Sequence, residues 1–244
     1  MDNIKRICLW SGPRNISTAL MYSFAQRSDT KVFDEPLYAH YLKNTKANEY
    51  HPGAEDILAS LENDGVKVVE MMTTNAENKV VFFKNMTHHL LDLDKSFMKD
   101  VINVFLTRNP LEMLPSYAKV IKNPTIDDVG YAMHVDLLEY LNNQGIEPII
   151  IDSKDILLNP EKALKNFCQK AGITFDKAML SWETGARKED GSWAKYWYDS
   201  VHKSTGFMEY TPKSEPFPDE LKPLLQACLP FYERLIKETE IIRN

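Results

Sequence analysis

Five short apolar runs recur along the first 151 residues of this chain, and segments with a helical pattern lie between them. The runs are Arg6–Trp10, Lys31–Phe33, Lys79–Phe83, Ile102–Leu106 and Pro148–Ile151. Near-continuous apolar strands are typical of a parallel sheet, because helices cover both of its faces. Strands that alternate with helices favour right-handed crossover connections. The pattern therefore predicts a three-layer α/β/α fold with a central, mainly parallel sheet.

Helical periodicity follows most of these runs. The predicted helices are Ser17–Gln26, Ala54–Asn63, Met86–Met98, Leu111–Lys122, Asp127–Asn143, Pro160–Ala171 and Asp219 to about Ile242. Between the last two lies an irregular stretch, Ser181–Tyr210, which we call the aromatic segment. Long irregular segments in compact domains are more often functional than passive. Trp193 and Trp197, four residues apart, fit one buried helix face better than a ligand pocket. No repeat or linker is visible, so we predict one domain over residues 1–244.

Composition narrows the class of protein. The chain has 244 residues, 43% hydrophobic content and a net charge of −6, which argues against a general nucleic-acid binder. Cys8, Cys168 and Cys228 are scattered in apolar surroundings, so we expect buried thiols without disulfides or zinc. A strand pattern begins almost at once, which leaves no room for a signal peptide, and no run reaches the roughly 20 apolar residues of a membrane span. We expect a soluble cytoplasmic enzyme with no membrane partner; the sequence does not reveal its oligomeric state.

The turn after the first apolar run has the features of an anion-binding site. It reads SGPRNIST, from Ser11 to Thr18. Amide groups at a helix start and the helix dipole favour negative charge, and Arg14, Ser17 and Thr18 add a cation and two hydroxyls. Ligands of open parallel sheets bind beyond the carboxyl ends of the strands, where this turn would lie.

This turn departs from the nucleoside-triphosphate loop, GxxxxGK[ST]. It has no Gly-Lys pair, Ile16 stands near the second glycine, and the cation comes earlier. A magnesium-dependent kinase also needs a carboxylate at a strand end. Asp34 and Asp152 each meet that need, so a small-molecule kinase remains the alternative.

A second motif follows the fourth apolar run. There Arg108-Asn109-Pro110 leads into a helix that carries Ser116, eight residues after Arg108. Proline suits the first turn of a helix. Arg108 and Ser116 can touch one phosphate if the helix passes alongside the strand end.

Together the two motifs resemble the sulfotransferase family that uses 3′-phosphoadenosine 5′-phosphosulfate (PAPS). The resemblance implies a P-loop-like topology, PAPS as sulfuryl donor, its 3′,5′-bisphosphate (PAP) as product, and no metal. It implies that the first turn binds the 5′-phosphosulfate, through Gly12, Pro13, Arg14, Asn15, Ile16, Ser17 and Thr18. Arg108 and Ser116 would hold the 3′-phosphate. Many members have Ser-Gly where this chain has Asn15-Ile16, a departure that the sequence does not explain.

The same resemblance indicates catalytic residues. Some branches of the family use a glutamate at a strand end as the base, which here corresponds to Glu35, with Asp34 as its nearest competitor. Other branches place a lysine and a histidine base after a strand, which corresponds to Lys84 and His88. The neighbouring His89 is expected on the surface, because adjacent helical residues point to different faces.

A stretch of the aromatic segment resembles the C-terminal cofactor loop of the family. Lys203, Ser204 and Thr205 would touch the phosphates, and Gly206 would allow close backbone approach. We therefore expect an in-line sulfuryl transfer to a hydroxyl, or less favourably an amine, of a small-molecule acceptor. The alternatives are the small-molecule kinase and a non-catalytic nucleotide-binding protein of the same fold.

Overall fold

The computed structural model describes residues 4–212 and 214–243, and the side chains of these residues as far as 239. Each predicted strand is present. The strands are β1 Lys5–Ser11, β2 Thr30–Asp34, β3 Val80–Met86, β4 Ile102–Thr107 and β5 Ile149–Asp152. They pair in the order β2-β3-β1-β4-β5, and every pairing is parallel. The predicted parallel α/β fold is confirmed.

Twelve α-helices are present in the described residues. They are α1 Ser17–Ala25, α2 Tyr38–Asn44, α3 Ala54–Ser60, α4 Gly65–Thr74, α5 Pro110–Tyr117, α6 Ile126–Val129, α7 Tyr131–Asn143, α8 Ser153–Leu158, α9 Pro160–Lys170, α10 Ala194–Trp197, α11 Asp199–His202 and α12 Lys222–Arg243. Short 3₁₀ segments include Thr87–His89 and Lys95–Asp100. None of the helices in this part of the chain is long and apolar enough to cross a membrane.

The sheet is covered on both faces, because side chains alternate along its central strand. Ile7 and Leu9 of β1 pack in a core with residues of α1 and α9. Cys8 and Trp10 pack in a second core with residues of α4, α7 and α12. Cys8, Cys168 and Cys228 are buried free thiols, as expected.

The predicted helix Met86–Met98 is wrong. Met86 still belongs to β3, and only two 3₁₀ segments follow it. Asp92 adopts a φ of 52°, which a right-handed helix does not accommodate, and the Asp94 side chain accepts a hydrogen bond from Ser96 N to cap the second segment. Lys84 consequently lies within β3 rather than after it.

Other boundaries also shift. Helices α2, α4 and α8 were not predicted, and neither were α10 and α11 within the aromatic segment. Helix α5 ends at Tyr117 rather than Lys122. The predicted helix Asp127–Asn143 is interrupted at Gly130, whose φ of 71° caps α6 and begins α7. The aromatic segment packs on α2 and α3 through Trp193 and Tyr198. These shifts leave the sheet intact and shape the loops at its carboxyl edge.

Candidate active site

A cavity of about 390 Å³ lies at the carboxyl edge of the sheet, between the loops that follow the first four strands and the aromatic segment. Most predicted site residues line it: Pro13, Arg14, Asn15, Ile16, Ser17, Thr18, Glu35, Lys84, His88, Arg108, Ser204 and Gly206. Gly12, Ser116, Lys203 and Thr205 are not among the lining residues. The motifs that are far apart in sequence therefore meet at one place.

The loop after β1 is held in a strained conformation. Arg14 and Ile16 adopt φ values of 54° and 66°, in the left-handed region that side-chain-bearing residues avoid. The Asn15 Nδ2 group donates to Leu106 O at 2.7 Å, which anchors the loop to the end of β4. A Cβ on Gly12 would lie 3.0 Å from Val129 O, so the glycine allows the two backbone segments to pack closely. Ile16 occupies the position where glycine would be unstrained.

Two arginines from neighbouring strand ends lie side by side. Arg14 Nε donates to Ser116 Oγ at 3.1 Å, and Arg14 Nη1 donates to Trp197 O at 3.1 Å. Arg108 Nη1 donates to Arg14 O at 3.0 Å. Burial lowers the pKa of Arg14, and the nearby Arg108 charge lowers it further. No carboxylate of the described chain pairs with Arg14, so this corner of the cavity favours an anion.

Arg108 does have an acidic neighbour. Its Nε and Nη2 atoms both lie 3.3 Å from Glu112 Oε2, one turn into α5. The Tyr210 hydroxyl donates to the other oxygen, Oε1, at 2.7 Å. Ser116, predicted beside Arg108, instead accepts its hydrogen bond from Arg14. Arg108 and Ser116 therefore lie in one region of the site, with Arg14 between them.

On the opposite wall of the cavity, a buried lysine contacts three side chains. Lys84, 1% exposed, donates to Asp34 Oδ1 at 2.8 Å, to the Tyr198 hydroxyl at 2.8 Å, and to Glu35 Oε1. Burial alone would lower the pKa of Lys84, but the carboxylates of Asp34 and Glu35 outweigh it and raise that pKa. Lys84 is thus a permanent cation at this wall.

Glu35 is placed by an unusual backbone. Its φ is 43°, and its N–H donates to Lys84 O at 2.7 Å. Burial raises the pKa of Glu35 to about 7; the Lys84 charge opposes this rise and the Asp34 charge adds to it. A buried carboxylate whose pKa lies near neutrality suits a general base.

Asp34 accepts hydrogen bonds from the aromatic segment. Tyr198 donates its hydroxyl proton to Asp34, at 2.9 Å from Oδ1 and 2.8 Å from Oδ2, and Gly191 N donates to Oδ2 at 3.1 Å. Trp193 Nε1 in turn donates to the Tyr198 hydroxyl at 3.1 Å. Both oxygens of Asp34 are therefore occupied in holding this segment over the cavity.

The paired histidines lie inward, and the expectation that His89 is on the surface is wrong. His89 is 1% exposed and stacks on the rings of Tyr38 and Tyr41, at centroid distances of 4.6 and 4.8 Å. Its Nδ1 atom is 3.9 Å from Glu35 Oε2. Burial lowers the pKa of His88 to about 3, so its imidazole is neutral at neutral pH. The 3₁₀ turn after β3, which replaces the predicted helix, carries both rings inside.

The predicted cofactor loop contributes less than expected. Lys203 is 73% exposed at its side chain and pairs with Asp199 at 2.7 Å. Thr205 is exposed, and a Cβ on Gly206 would lie 3.0 Å from Leu180 O. Ser204 lines the cavity and accepts from Trp182 Nε1 at 3.1 Å. Of the four residues predicted to bind the cofactor here, Ser204 and Gly206 line the cavity and Lys203 and Thr205 do not.

Comparison with known proteins identifies the family of this chain and supports its fold. The family model described as "Sulfotransferase domain" matches residues 5–239. The chain belongs to the sulfotransferase family. Two solved structures share its fold: the sulfotransferase domain from the curacin biosynthetic pathway has a TM-score of 0.55 at 15% identity, and the match covers 93% of this chain and 98% of that one. A sulfotransferase from Alicyclobacillus acidocaldarius has a TM-score of 0.52 at 10% identity, with 98% and 99% covered.

A curated relative is closer in sequence to this sulfotransferase-family chain. It is named branched-chain-amino-acid aminotransferase-like protein 2, from Arabidopsis thaliana, and is 40% identical over 228 residues. The match covers 93% of this chain but 40% of the relative, so the chain spans about two fifths of that protein's length. The relative's name describes the longer protein.

The sequence did not predict several lining residues of this sulfotransferase-family site, among them Tyr38, His51 and Tyr117. No motif marks Tyr38 or His51, which reach the cavity only because α2 and the loop after it fold over the end of β3. Trp193 and Trp197 pack in the core as predicted, but both also line the cavity. No cluster of three or more His, Cys, Asp or Glu side chains in the described ranges has the arrangement of a metal site.

Proposed function

We propose that this member of the sulfotransferase family transfers a sulfuryl group from PAPS to a hydroxyl of a small-molecule acceptor. One observation carries the proposal: Arg14 and Arg108, from the loops after neighbouring strands, meet in the cavity that also holds Glu35 and Lys84. Two cationic positions at one end suit a nucleotide with phosphates at both 5′ and 3′. A base and a cation at the other end suit transfer to a hydroxyl.

The residues present fit such a nucleotide. Arg14 is half-buried without a carboxylate partner in the described chain, beside the first amides of α1 and the lining residues Ser17 and Thr18. These groups would hold the 5′-phosphosulfate, as helix starts hold other anions. Arg108 would hold the 3′-phosphate, which distinguishes this nucleotide from ATP. PAPS supplies the activated sulfuryl group.

Side chains of the protein accept the acceptor's proton and stabilise the negative charge that develops during transfer. Glu35 accepts the proton of the acceptor hydroxyl, for which its raised pKa is well matched. Lys84 and Arg14 place fixed positive charge where negative charge develops during transfer. The aromatic segment, held by Asp34, keeps water away from these groups.

Glu35 is a better base than its competitors. Both oxygens of Asp34 already accept hydrogen bonds from Tyr198 and the aromatic segment. His88, whose pKa burial lowers to about 3, is a weak base at neutral pH. Glu35 combines burial, a raised pKa and a place on the cavity wall.

The nucleotide assignment is tested by thermal shift with 3′,5′-ADP, 5′-AMP and ATP. We expect a large shift with 3′,5′-ADP only, and Arg108→Ala should weaken its binding about 10- to 100-fold, because a charged hydrogen-bonding group is lost. Arg234→Ala is the control and should change nothing, because it removes an arginine that is paired with Glu238 and lies outside the cavity lining. Unchanged affinity in Arg108→Ala would disprove the assignment, and magnesium-dependent ATP turnover would favour the kinase.

The chemical assignment is tested by transfer from PAPS. Glu35→Gln should lower the transfer rate by about two to three orders of magnitude while 3′,5′-ADP affinity is retained. Arg14→Ala should abolish measurable transfer. Tight nucleotide binding without transfer to any acceptor, unaffected by Glu35→Gln, would instead indicate the non-catalytic alternative.

A further inference from the structure

The hydroxyl of Tyr198, from the aromatic segment, reaches the cavity wall that carries Lys84. Tyr198 is buried and lines the cavity. Its hydroxyl donates to Asp34 and accepts from Trp193 Nε1 at 3.1 Å and from Lys84 Nζ at 2.8 Å. Burial raises the pKa of Tyr198 well above its usual value, and the charges of Asp34 and Glu35 add to the rise. The hydroxyl therefore keeps its proton, which fixes these donor and acceptor roles.

Tyr198 completes the hydrogen bonds of the Lys84 ammonium. An ammonium group has three N–H donors and no acceptor. The three acceptors of Lys84 are Asp34 Oδ1 at 2.8 Å, Glu35 Oε1 and the Tyr198 hydroxyl. A lysine charge is otherwise carried on a flexible four-carbon stem. Three acceptors in a buried site therefore give this ammonium one place and one orientation.

Two of these acceptors share one origin, and the third does not. Asp34 ends β2 and Glu35 follows it, so an acidic pair attracts Lys84 towards the end of that strand. Tyr198 comes from the aromatic segment, and its ring centroid lies 5.2 Å from Lys84 Nζ. Without the Tyr198 oxygen, the third N–H group would lose its acceptor. An unpaired buried donor is costly, so the ammonium would shift.

The preceding residue of the chain contacts the other cation of the site. Trp197 O accepts a hydrogen bond from Arg14 Nη1 at 3.1 Å. Two consecutive residues of the aromatic segment therefore hold the two cations, Arg14 and Lys84, that we assign to sulfuryl transfer. Fixed charges stabilise a transition state best when they are in place beforehand, because no reorganisation is then needed.

We propose that Tyr198 is a positioning residue for sulfuryl transfer, whose hydroxyl fixes the Lys84 ammonium before negative charge develops in the transition state. Tyr198 acts through Lys84 and not on the reacting atoms. The inference rests on the proposed function, since sulfuryl transfer gives Lys84 its charge-stabilising part.

The position of the ammonium can be measured without any transfer. Proton–nitrogen NMR detects a lysine ammonium at neutral pH where its hydrogens are held from exchange with water. We expect such a signal for Lys84, assigned through side-chain correlations. Tyr198→Phe removes the oxygen but keeps the ring, and the signal should broaden beyond detection.

Tyr22→Phe is the matched control for this measurement. The Tyr22 hydroxyl donates to Asp190 of the same aromatic segment at 2.7 Å, but Tyr22 is not among the residues that line the cavity. The variant therefore removes a buried hydroxyl that binds the segment without touching Lys84. The Lys84 signal should persist in Tyr22→Phe.

Transfer from PAPS tests the consequence for the reaction. Tyr198→Phe should lower kcat about 10- to 100-fold, because a displaced charge stabilises the transition state less well. The affinity for 3′,5′-ADP should be retained, since that nucleotide carries no sulfuryl group. In a Lys84→Met background the same substitution should cost nothing further, because the group that Tyr198 positions is gone. A purely structural role would lower the rate equally in both backgrounds.

The contrary outcomes are distinct. A Lys84 signal that persists in Tyr198→Phe, or an equal loss of rate with and without Lys84, would overturn the inference. If a variant does not fold, the unaltered protein decides, because the absence of a Lys84 signal would show that the ammonium is not held. Failure of the unaltered protein to transfer from PAPS would instead overturn the proposed function, while the NMR comparison would still report on Tyr198.

Discussion

Backbone strain in this molecule is concentrated at single residues around the cavity. Among the described residues, five non-glycine positions have positive φ, and Arg14, Ile16 and Glu35 are three of them. Such conformations cost about 1–3 kcal/mol each and persist only where the surrounding structure imposes them. Strain at the proposed phosphate loop and the proposed base is consistent with groups held ready for chemistry.

Ile16 offers a direct measurement of that strain. Ile16→Gly and Ile16→Ala both remove the side chain that packs on the core, but only glycine relieves the left-handed backbone. Ile16→Gly should therefore be more stable than Ile16→Ala by about 1 kcal/mol in denaturant unfolding. Ala19→Gly, inside α1, is the control and should lose about 1 kcal/mol instead. Equal stability of the two Ile16 variants would argue that the loop relaxes.

The pKa of Glu35 predicts how transfer depends on pH. Burial raises that pKa to about 7, and only the deprotonated carboxylate accepts a proton. The transfer rate at low substrate should therefore fall about tenfold per pH unit on acidification below this pKa. Steady-state kinetics across the neutral range measure the profile. A rate that stays constant to well below neutrality would assign the base to another group.

At the scale of elements, Glu112 on α5 competes for Arg108. It lies where its carboxylate neutralises the guanidinium that we assign to the 3′-phosphate. Glu112→Gln retains an acceptor for Tyr210 but removes the charge, so 3′,5′-ADP should bind about three- to tenfold more tightly. Glu161→Gln on α9 removes a carboxylate from a similar pair with Lys165 and should leave affinity unchanged. Weaker binding in Glu112→Gln would show that Glu112 orients Arg108 instead.

The elements also show what local sequence determines. The strands were predictable because both faces of the sheet are buried, which leaves a continuous apolar signature. The two 3₁₀ segments after β3 were not predictable, because the sequence pattern gives no sign that Asp92, between them, adopts a positive φ. The inward position of His89 depends on the 3₁₀ segment Thr87–His89, so the burial of its ring was not predicted.

At the scale of the whole molecule, the site depends on contacts between distant parts of the chain. Lys84 meets Asp34 across 50 residues and Tyr198 across 114. The sequence predicted that Arg14, Glu35, Lys84 and Arg108 lie at one edge of the sheet, because each stands at or near the end of a predicted strand, and all four line the cavity. Their partners were not predicted, because only the packed tertiary structure brings the aromatic segment onto Asp34.

Buried histidines predict a loss of stability in mild acid. Burial lowers the pKa of His51 and His134 to about 4 and of His88 to about 3, and it lowers that of His89 well below its usual value. The unfolded chain therefore binds protons first as the pH falls through about 6.5, and each histidine costs about 1.4 kcal/mol per pH unit. Glu35 acts in the opposite sense, because its raised pKa lets the folded state take up a proton first.

The balance favours the four histidines over the one carboxyl. Between about pH 6.5 and pH 5 the free energy of unfolding should fall by about 5 kcal/mol, a large part of the stability of an ordinary domain. Thermal unfolding followed by circular dichroism across that range measures the decline. His134→Phe removes one titrating ring away from the cavity and should make the decline shallower. A melting temperature that holds constant to pH 5 would mean that these rings reach solvent in the folded protein.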